Sequence, residues 1–175
     1  IATDDNYQSI LISIAIKLIE LNSKGYHHNT TKWIELCNFE IESWKSKVDN
    51  FTEYDIDIPD SVLDVLDILG KTYQHISESH AKAIGGVFYT PESISNKIIH
   101  NNLRKEEIVL DPCCGSGSFL IQALLKKIKD EDELIHQCLY GFDVDEIAVH
   151  ICRLNLLIIG KERFEVTPKI NQKDV

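Results

Sequence analysis

The stretch Asp111-Pro112-Cys113-Cys114-Gly115-Ser116-Gly117-Ser118-Phe119-Leu120, preceded by the apolar run Ile108-Val109-Leu110, decides the fold. It reads as a buried strand that ends in a carboxylate, a glycine-bearing loop, and an amphipathic helix that starts at once. An open α/β sheet builds a pocket for a nucleoside-containing ligand in this way, at the carboxyl end of its first strand. Pro112 biases Asp111 toward extended backbone, as a strand terminus needs. Gly115 and Gly117 can take positive φ and let a ligand approach the main chain.

Outward from this loop the pattern alternates. Residues 118–129 form a helix with Phe119, Leu120, Ala123, Leu124 and Ile128 on its apolar face. Residues 138–142 read as a second strand and 145–159 as a helix burying Ile147, Ile151, Leu154 and Ile158. A third strand is expected to begin at Phe164–Val166. Strands alternating with helices predict a parallel sheet with crossover helices. Upstream, Thr90-Pro91-Glu92 has the form of a helix start, with Thr as cap, Pro in the first helical position and an acid in the first turn. Ile94, Ile98 and Leu103 would be its buried face.

The first eighty residues read as helices. Tyr7, Ile10, Leu11, Ile14, Leu18 and Leu21 follow the helical period, with Gly25 as a stop. Thr30 or Thr31 would cap a second helix carrying Ile34, Cys37, Ile41, Trp44 and Val48. The acidic stretch Phe51–Pro59 is a loop, and Asp60 or Ser61 would cap a third helix with Val62, Val65, Leu66, Leu69 and Tyr73 on one face. The polar segment Ser77–Gly86, ending in Gly85-Gly86, is the expected boundary. The division is a helical region, 1–80, followed by an α/β region, 81–175.

A dinucleotide fingerprint asks for a third glycine or alanine where this chain has Leu120. Two further segments point elsewhere. Gly86-Val87-Phe88-Tyr89-Thr90-Pro91 lies before the glycine loop and Tyr140-Gly141-Phe142-Asp143-Val144-Asp145 after it. In this order and spacing, over roughly residues 70–160, the three segments resemble the cofactor-binding half of amino-methylating (adenine-specific) DNA methyltransferases, above all the modification subunits of type I restriction systems and the methylase part of fused restriction–modification enzymes.

That resemblance implies a Rossmann-like half-domain that binds S-adenosylmethionine. The amino end of the helix after Thr90 would receive the methionine carboxylate, with the Thr90 hydroxyl assisting and Tyr89 in the same wall. Asp111 would attract the methionine ammonium. Gly115, Ser116 and Gly117 would pass beneath methionine and ribose, and Phe119 would close the floor. Asp143 would accept both ribose hydroxyls, and Val144 would lie on the adenine. Asp145 is read as a helix cap. Asp174, in Ile170-Asn171-Gln172-Lys173-Asp174-Val175, resembles the acid that meets the adenine amine.

The family's Asn/Asp-Pro-Pro-Tyr/Phe tetrapeptide, which holds the flipped target base, does not occur in these 175 residues. With Ile1 at its start and no Met, the chain is expected to be an N-terminal fragment, inactive alone, of a parent that methylates adenine N6 in DNA. Rival readings are a methyltransferase acting on RNA or protein, a nicotinamide or flavin dehydrogenase, and a non-catalytic assembly module with a vestigial pocket.

Charge limits how DNA could be gripped. The net charge is −10, and residues 1–83 hold 7 Lys+Arg against 14 Asp+Glu. Phosphate binding needs the opposite sign, so DNA contacts are expected through regions outside this chain, with specificity or restriction subunits as partners. The run Ile10–Ile19, broken by Ser13 and Lys17, is far short of the roughly 20 apolar residues of a membrane span. Five unevenly spaced cysteines fit a reducing cytoplasm better than a disulfide framework. Cys113-Cys114 lack a second pair at zinc spacing, so packing is expected and no metal site. His27-His28 reads as a solvated pair, and Trp33 and Trp44 as core.

Overall fold

The computed structural model describes residues 4–24, 32–59, 67–81, 90–130 and 135–174. The expected caps at residues 30, 31, 60 and 61, the Gly85-Gly86 pair, Val62, Val65, Leu66, Tyr89 and the His27-His28 pair lie outside them.

Three helices come first: α1 (Asp4–Ser23), α2 (Lys32–Lys45) and α3 (Ile68–Ala81). In α1, Leu11, Ile14 and Leu18 are buried as the period predicts, and so are Ile12, Ala15 and Ile19. The buried arc is wider than the expected stripe because α2, α3 and the later helix α7 (Glu146–Gly160) all pack on α1. The acidic segment after α2 has no regular structure and is tied along α1. Ser9 Oγ accepts the Thr52 amide at 3.3 Å and Ser13 Oγ the Tyr54 amide at 2.9 Å. In α2, Trp33, Cys37, Ile41 and Trp44 are buried, and so is Glu40.

Helix α4 (Glu92–Asn102) starts two residues after Thr90, and Pro91 occupies its cap position with ψ 138°. Thr90 therefore does not cap the helix. It lies one residue too early to reach the first-turn amides. The expected buried face is also rotated. Ile94 and Ile98 are exposed, while Ser95 is buried and Ile99 and Leu103 pack on the core. The small Ser95 allows close approach of α4 to α5 (Ser118–Lys129), and Asn96 Nδ2 donates to Gln122 Oε1 across that contact at 2.8 Å.

The α/β part continues as β1 (Val109–Asp111), α5, a short α6 (Ile135–Cys138), β2 (Leu139–Asp143), α7 (Glu146–Gly160), a 3-10 turn (Lys161–Arg163) and β3 (Lys169–Gln172). The sheet is parallel in the order β1-β2-β3, with Asp111 opposite Gly141 and Asp143 opposite Gln172. The third strand begins later than expected. Phe164 is buried, but as a plug over the end of α7. A Cβ on Gly160 would lie 2.4 Å from the Phe164 ring.

The expectation of a buried first strand is corrected too. Ile108 is 67% and Leu110 57% exposed, because β1 is an edge strand with β2 as its one described neighbour. Helix α7 has the reverse character. The sheet and α5 cover it on some sides and α1, α2 and α3 on others. Hence Ala148, Val149, Ile151, Leu154, Leu156 and Leu157 are all buried, which is burial around the whole helix rather than along one stripe. One continuous apolar cluster runs from α1 to β3. No described helix is long and apolar enough to cross a membrane.

Candidate functional site

Two parallel strands that end in aspartates set the site. At the tip of β1, Asp111 Oδ1 accepts the Cys113 amide at 3.1 Å and turns the chain into the loop. Cys114 N–H then donates to Phe142 O at 2.9 Å, and Gly117 N–H to Cys114 O at 2.8 Å, closing a tight turn. Gly115 has φ 51° and Gly117 φ 99°, the left-handed region that a side chain disfavours. Gly117 is the cap residue of α5, and Ile121 N–H donates to its carbonyl at 2.7 Å.

Asp143, at the tip of β2, joins the two loops. Its Oδ2 accepts the Gly115 amide at 2.7 Å and its Oδ1 the Asp145 amide at 2.9 Å. An ionised carboxylate has about four acceptor sites, so each oxygen keeps capacity for a ligand donor. Asp145 caps α7, its Oδ1 accepting the amides of Ile147 at 2.9 Å and Ala148 at 3.4 Å. Burial pushes the Asp111 pKa above the usual carboxylate value. The Cys113 hydrogen bond opposes this and the neighbouring Asp143 charge adds to it.

A cavity of about 350 Å³ opens over these strand ends, within the size range of small-ligand sites. It brings together Thr90, Asp111, Gly115, Phe119, Asp143 and Val144. Cys113 and Ser118, which the sequence reading did not select, line it as well, Cys113 as an exposed thiol. The only charged side chains among its described lining are the carboxylates of Asp111, Asp143 and Asp145. Such a site attracts a cation and repels a pyrophosphate.

Three other candidates lie outside this cavity. Ser116 is fully buried, and its hydroxyl donates to Asp67 Oδ2 at 2.8 Å, pointing away from the cavity. Gly117 lies underneath, where a Cβ would sit 2.7 Å from Cys152 Sγ. Asp174 is exposed, two residues past β3, although its neighbour Lys173 donates its amide to Asp143 O at 2.8 Å. Tyr89 is outside the described residues. A smaller cavity of about 200 Å³ shares Thr90 and Ser118 with the first and is walled by Asp67, Gly70, Lys71 and Glu92.

Sequence reasoning missed Asp67. Its signal is an Asp placed just before the apolar pair Ile68-Leu69, the usual form of a helix cap. The cap expected at residue 60 or 61 lies outside the described residues.

The profile of the family described as N-6 DNA Methylase matches residues 64–174, more than half of the chain. Over 102 residues the chain is 34% identical to the methylase subunit of the type I restriction enzyme MjaIX of Methanocaldococcus jannaschii. That match covers 56% of this chain and 18% of the relative. Over 86 residues it is 40% identical to the type II methyltransferase M.VspI of a Vibrio species, covering 47% of this chain and 19% of the relative. The chain thus spans less than a fifth of either relative. A solved modification subunit of a putative type I restriction enzyme from Vibrio vulnificus superimposes with a TM-score of 0.52. It is 19% identical, and the match covers 89% of this chain and 34% of that one. At that identity the likeness speaks for the α/β fold alone. The matched residues take in α3, the glycine loop, Asp143 and β3, and the chain belongs to the N-6 DNA methylase family.

Proposed function

We propose that this chain forms the S-adenosylmethionine-binding part of a DNA adenine-N6 methyltransferase of a restriction–modification system, working in the cytoplasm. One observation carries the reading: a cavity at the C-terminal ends of two adjacent parallel strands whose only charged lining groups among the described residues are carboxylates, with Thr90, two residues before α4, in its lining. Bound there, S-adenosylmethionine supplies a methyl group on a sulfonium sulfur. The chain's part is to hold and orient it. Asp111 faces the ammonium, Asp143 the ribose hydroxyls and Val144 the adenine, and Phe119 closes the floor. The amino end of α4 with Thr90 faces the methionine carboxylate, with Tyr89 assigned to the same wall. Ser116 and Gly117 carry the loop from behind and beneath rather than lining the cavity, and Asp174 is assigned to the adenine amine. Leu120 in the place of the fingerprint's third glycine speaks against a nicotinamide dinucleotide.

The reading keeps residues 1–80 as a helical region and 81–175 as the first half of a larger sheet domain. The apolar outer edge of β1, which has no partner strand among the described residues, supports this, because ligand sites in open α/β sheets lie where the strand order reverses. Base-holding residues and DNA contacts are assigned to the parent protein beyond this sequence, and specificity or restriction subunits are its expected partners.

The test is calorimetry on the parent protein. S-adenosylhomocysteine should bind and NAD should not. Asp143→Ala should weaken S-adenosylhomocysteine about 100-fold, the effect of losing two hydrogen bonds to a charged acceptor. Equal binding of NAD, or folded Asp143→Ala protein with unchanged affinity, would sink the assignment. Transfer of methyl to adenine in duplex DNA, read by mass spectrometry, tests the substrate separately.

A further inference from the structure

Helix α3 belongs to the helical region, yet it grips both loops of the cavity from behind. Asp67, with φ 58°, stands at its start. One carboxylate oxygen accepts the Gly70 amide at 2.8 Å and the Asn155 side-chain amide, from α7, at 2.5 Å. The other accepts the Ser116 hydroxyl at 2.8 Å. Asn155 also donates to the Ser116 carbonyl at 3.1 Å. The glycine loop is thereby held at both its side chain and its main chain. Gly70 leaves room for this, since a Cβ there would lie 2.2 Å from Asp67 and 2.3 Å from Ser116. Tyr73, further along α3 and buried, donates its hydroxyl to Asp145, whose amide is held by Asp143.

We propose that Asp67 and Tyr73 are positioning residues that fix the two cofactor loops, 115–117 and 143–145, relative to each other and so set the shape of the cofactor cavity. The proposal rests on the cofactor reading above. Neither side chain lines the main cavity, so both act through Ser116 and Asp145. A buried carboxylate with three hydrogen-bond donors is a costly cap for one helix, since a neutral acceptor would serve. As a clamp its charge has a use, because charge-assisted hydrogen bonds are shorter and stronger than neutral ones. Burial raises the Asp67 pKa to about 6 against the pull of those hydrogen bonds. The groups that face it are Lys71 on α3, which is paired with Glu92 of α4 at 3.5 Å, and the Cys152 thiol on α7. Protonation takes away the anion that the Ser116, Gly70 and Asn155 donors share.

The test is S-adenosylhomocysteine affinity of the full-length parent protein between pH 5 and pH 8. For the wild type it should weaken up to about tenfold from pH 7 to pH 5, as the ionised fraction of Asp67 falls. Asp67→Asn copies the protonated form, so at pH 7.5 it should bind about as weakly as the wild type does at pH 5, and without that acid limb. Ser116→Ala, which removes one donor and no charge, should weaken binding severalfold at pH 7.5 while retaining a cooperative melt. Tyr73→Phe should weaken it severalfold as well. If Asp67→Asn does not fold, Ser116→Ala and Tyr73→Phe decide. Wild-type protein that binds S-adenosylhomocysteine, with folded variants of unchanged affinity and pH profile, overturns the clamp and leaves the cofactor reading standing. Wild-type protein that binds none overturns both.

Discussion

Replacing Glu40 by alanine should destabilise the protein by about 3–5 kcal/mol, the usual result of removing one partner from a buried charged network. Glu40 and His150 are each 1% exposed. Glu40 Oε1 lies 2.5 Å from His150 Nδ1 and 3.2 Å from Arg153 Nη1. The Lys47 ammonium lies 3.3 Å from His150 Nε2, and a ring that accepts there carries its proton on Nδ1 and donates it to Glu40. The His150 ring also stacks on Trp44, at 5.4 Å and 4°. Arg153 uses its other nitrogens on Ile170 O, at 2.8 Å and 2.5 Å, joining α2, α7 and β3. Alanine at 40 leaves a guanidinium and an imidazole N–H facing a void between the helices and the sheet. Glu40→Gln keeps the volume and one acceptor and should cost clearly less. Glu42, on the same helix with its side chain 71% exposed and paired to Lys45 at 3.2 Å, is the control: Glu42→Ala should change stability by less than about 0.5 kcal/mol. Denaturant midpoints for the three variants check this. Equal midpoints for Glu40→Ala and Glu42→Ala would mean that the network contributes nothing.

The same network marks where sequence reasoning stops. Glu40 sits among Trp33, Cys37, Ile41 and Trp44 in a pattern that reads as a plain amphipathic helix. What buries its charge is His150 and Arg153, far along the chain, and no local pattern reports such a pair. Strand order is equally silent. Ile108-Val109-Leu110 has the composition of a central strand, and only the order β1-β2-β3 places it at an edge among the described residues. Thr90 was misread by one residue, because a Thr-Pro-Glu start also allows Pro91 to be the cap. Local chemistry, by contrast, was legible. Asp111 before Pro112, glycines at the loop's two positive-φ positions, and Asp143 ending the next apolar run are dictated within a few residues, and Asp111, Gly115 and Asp143 meet in one cavity. Ser116 shows the boundary between the two cases. Its place in the loop was readable, but its direction was not, because the Asp67 that turns it inward belongs to another helix.

Gly117→Ala should cost about 2–6 kcal/mol, from two separable sources. The first is conformational: φ is 99° and ψ 24°, where a residue with a Cβ is strained by about 1–3 kcal/mol. The second is steric: the added carbon would lie 2.7 Å from Cys152 Sγ, and overpacking of a tight core costs about 1–3 kcal/mol. Cys152 has little room to yield. It is fully buried on α7, and its contact with Cys114 together with burial raises its thiol pKa. Removing the sulfur separates the two sources. Cys152→Ala opens space beneath the loop and is destabilising alone, but the double variant should be less unstable than the sum of the singles by about 1 kcal/mol or more, a coupling within the range for residues in contact. Strict additivity in a denaturant double-mutant cycle would leave backbone strain as the whole effect and remove the steric part of the argument. Because Gly117 anchors both the loop and the first turn of α5, the same substitution should weaken S-adenosylhomocysteine binding in the parent protein. Cys152→Ala in the double variant should recover part of that loss, since the sulfur is what would push the loop toward the cavity.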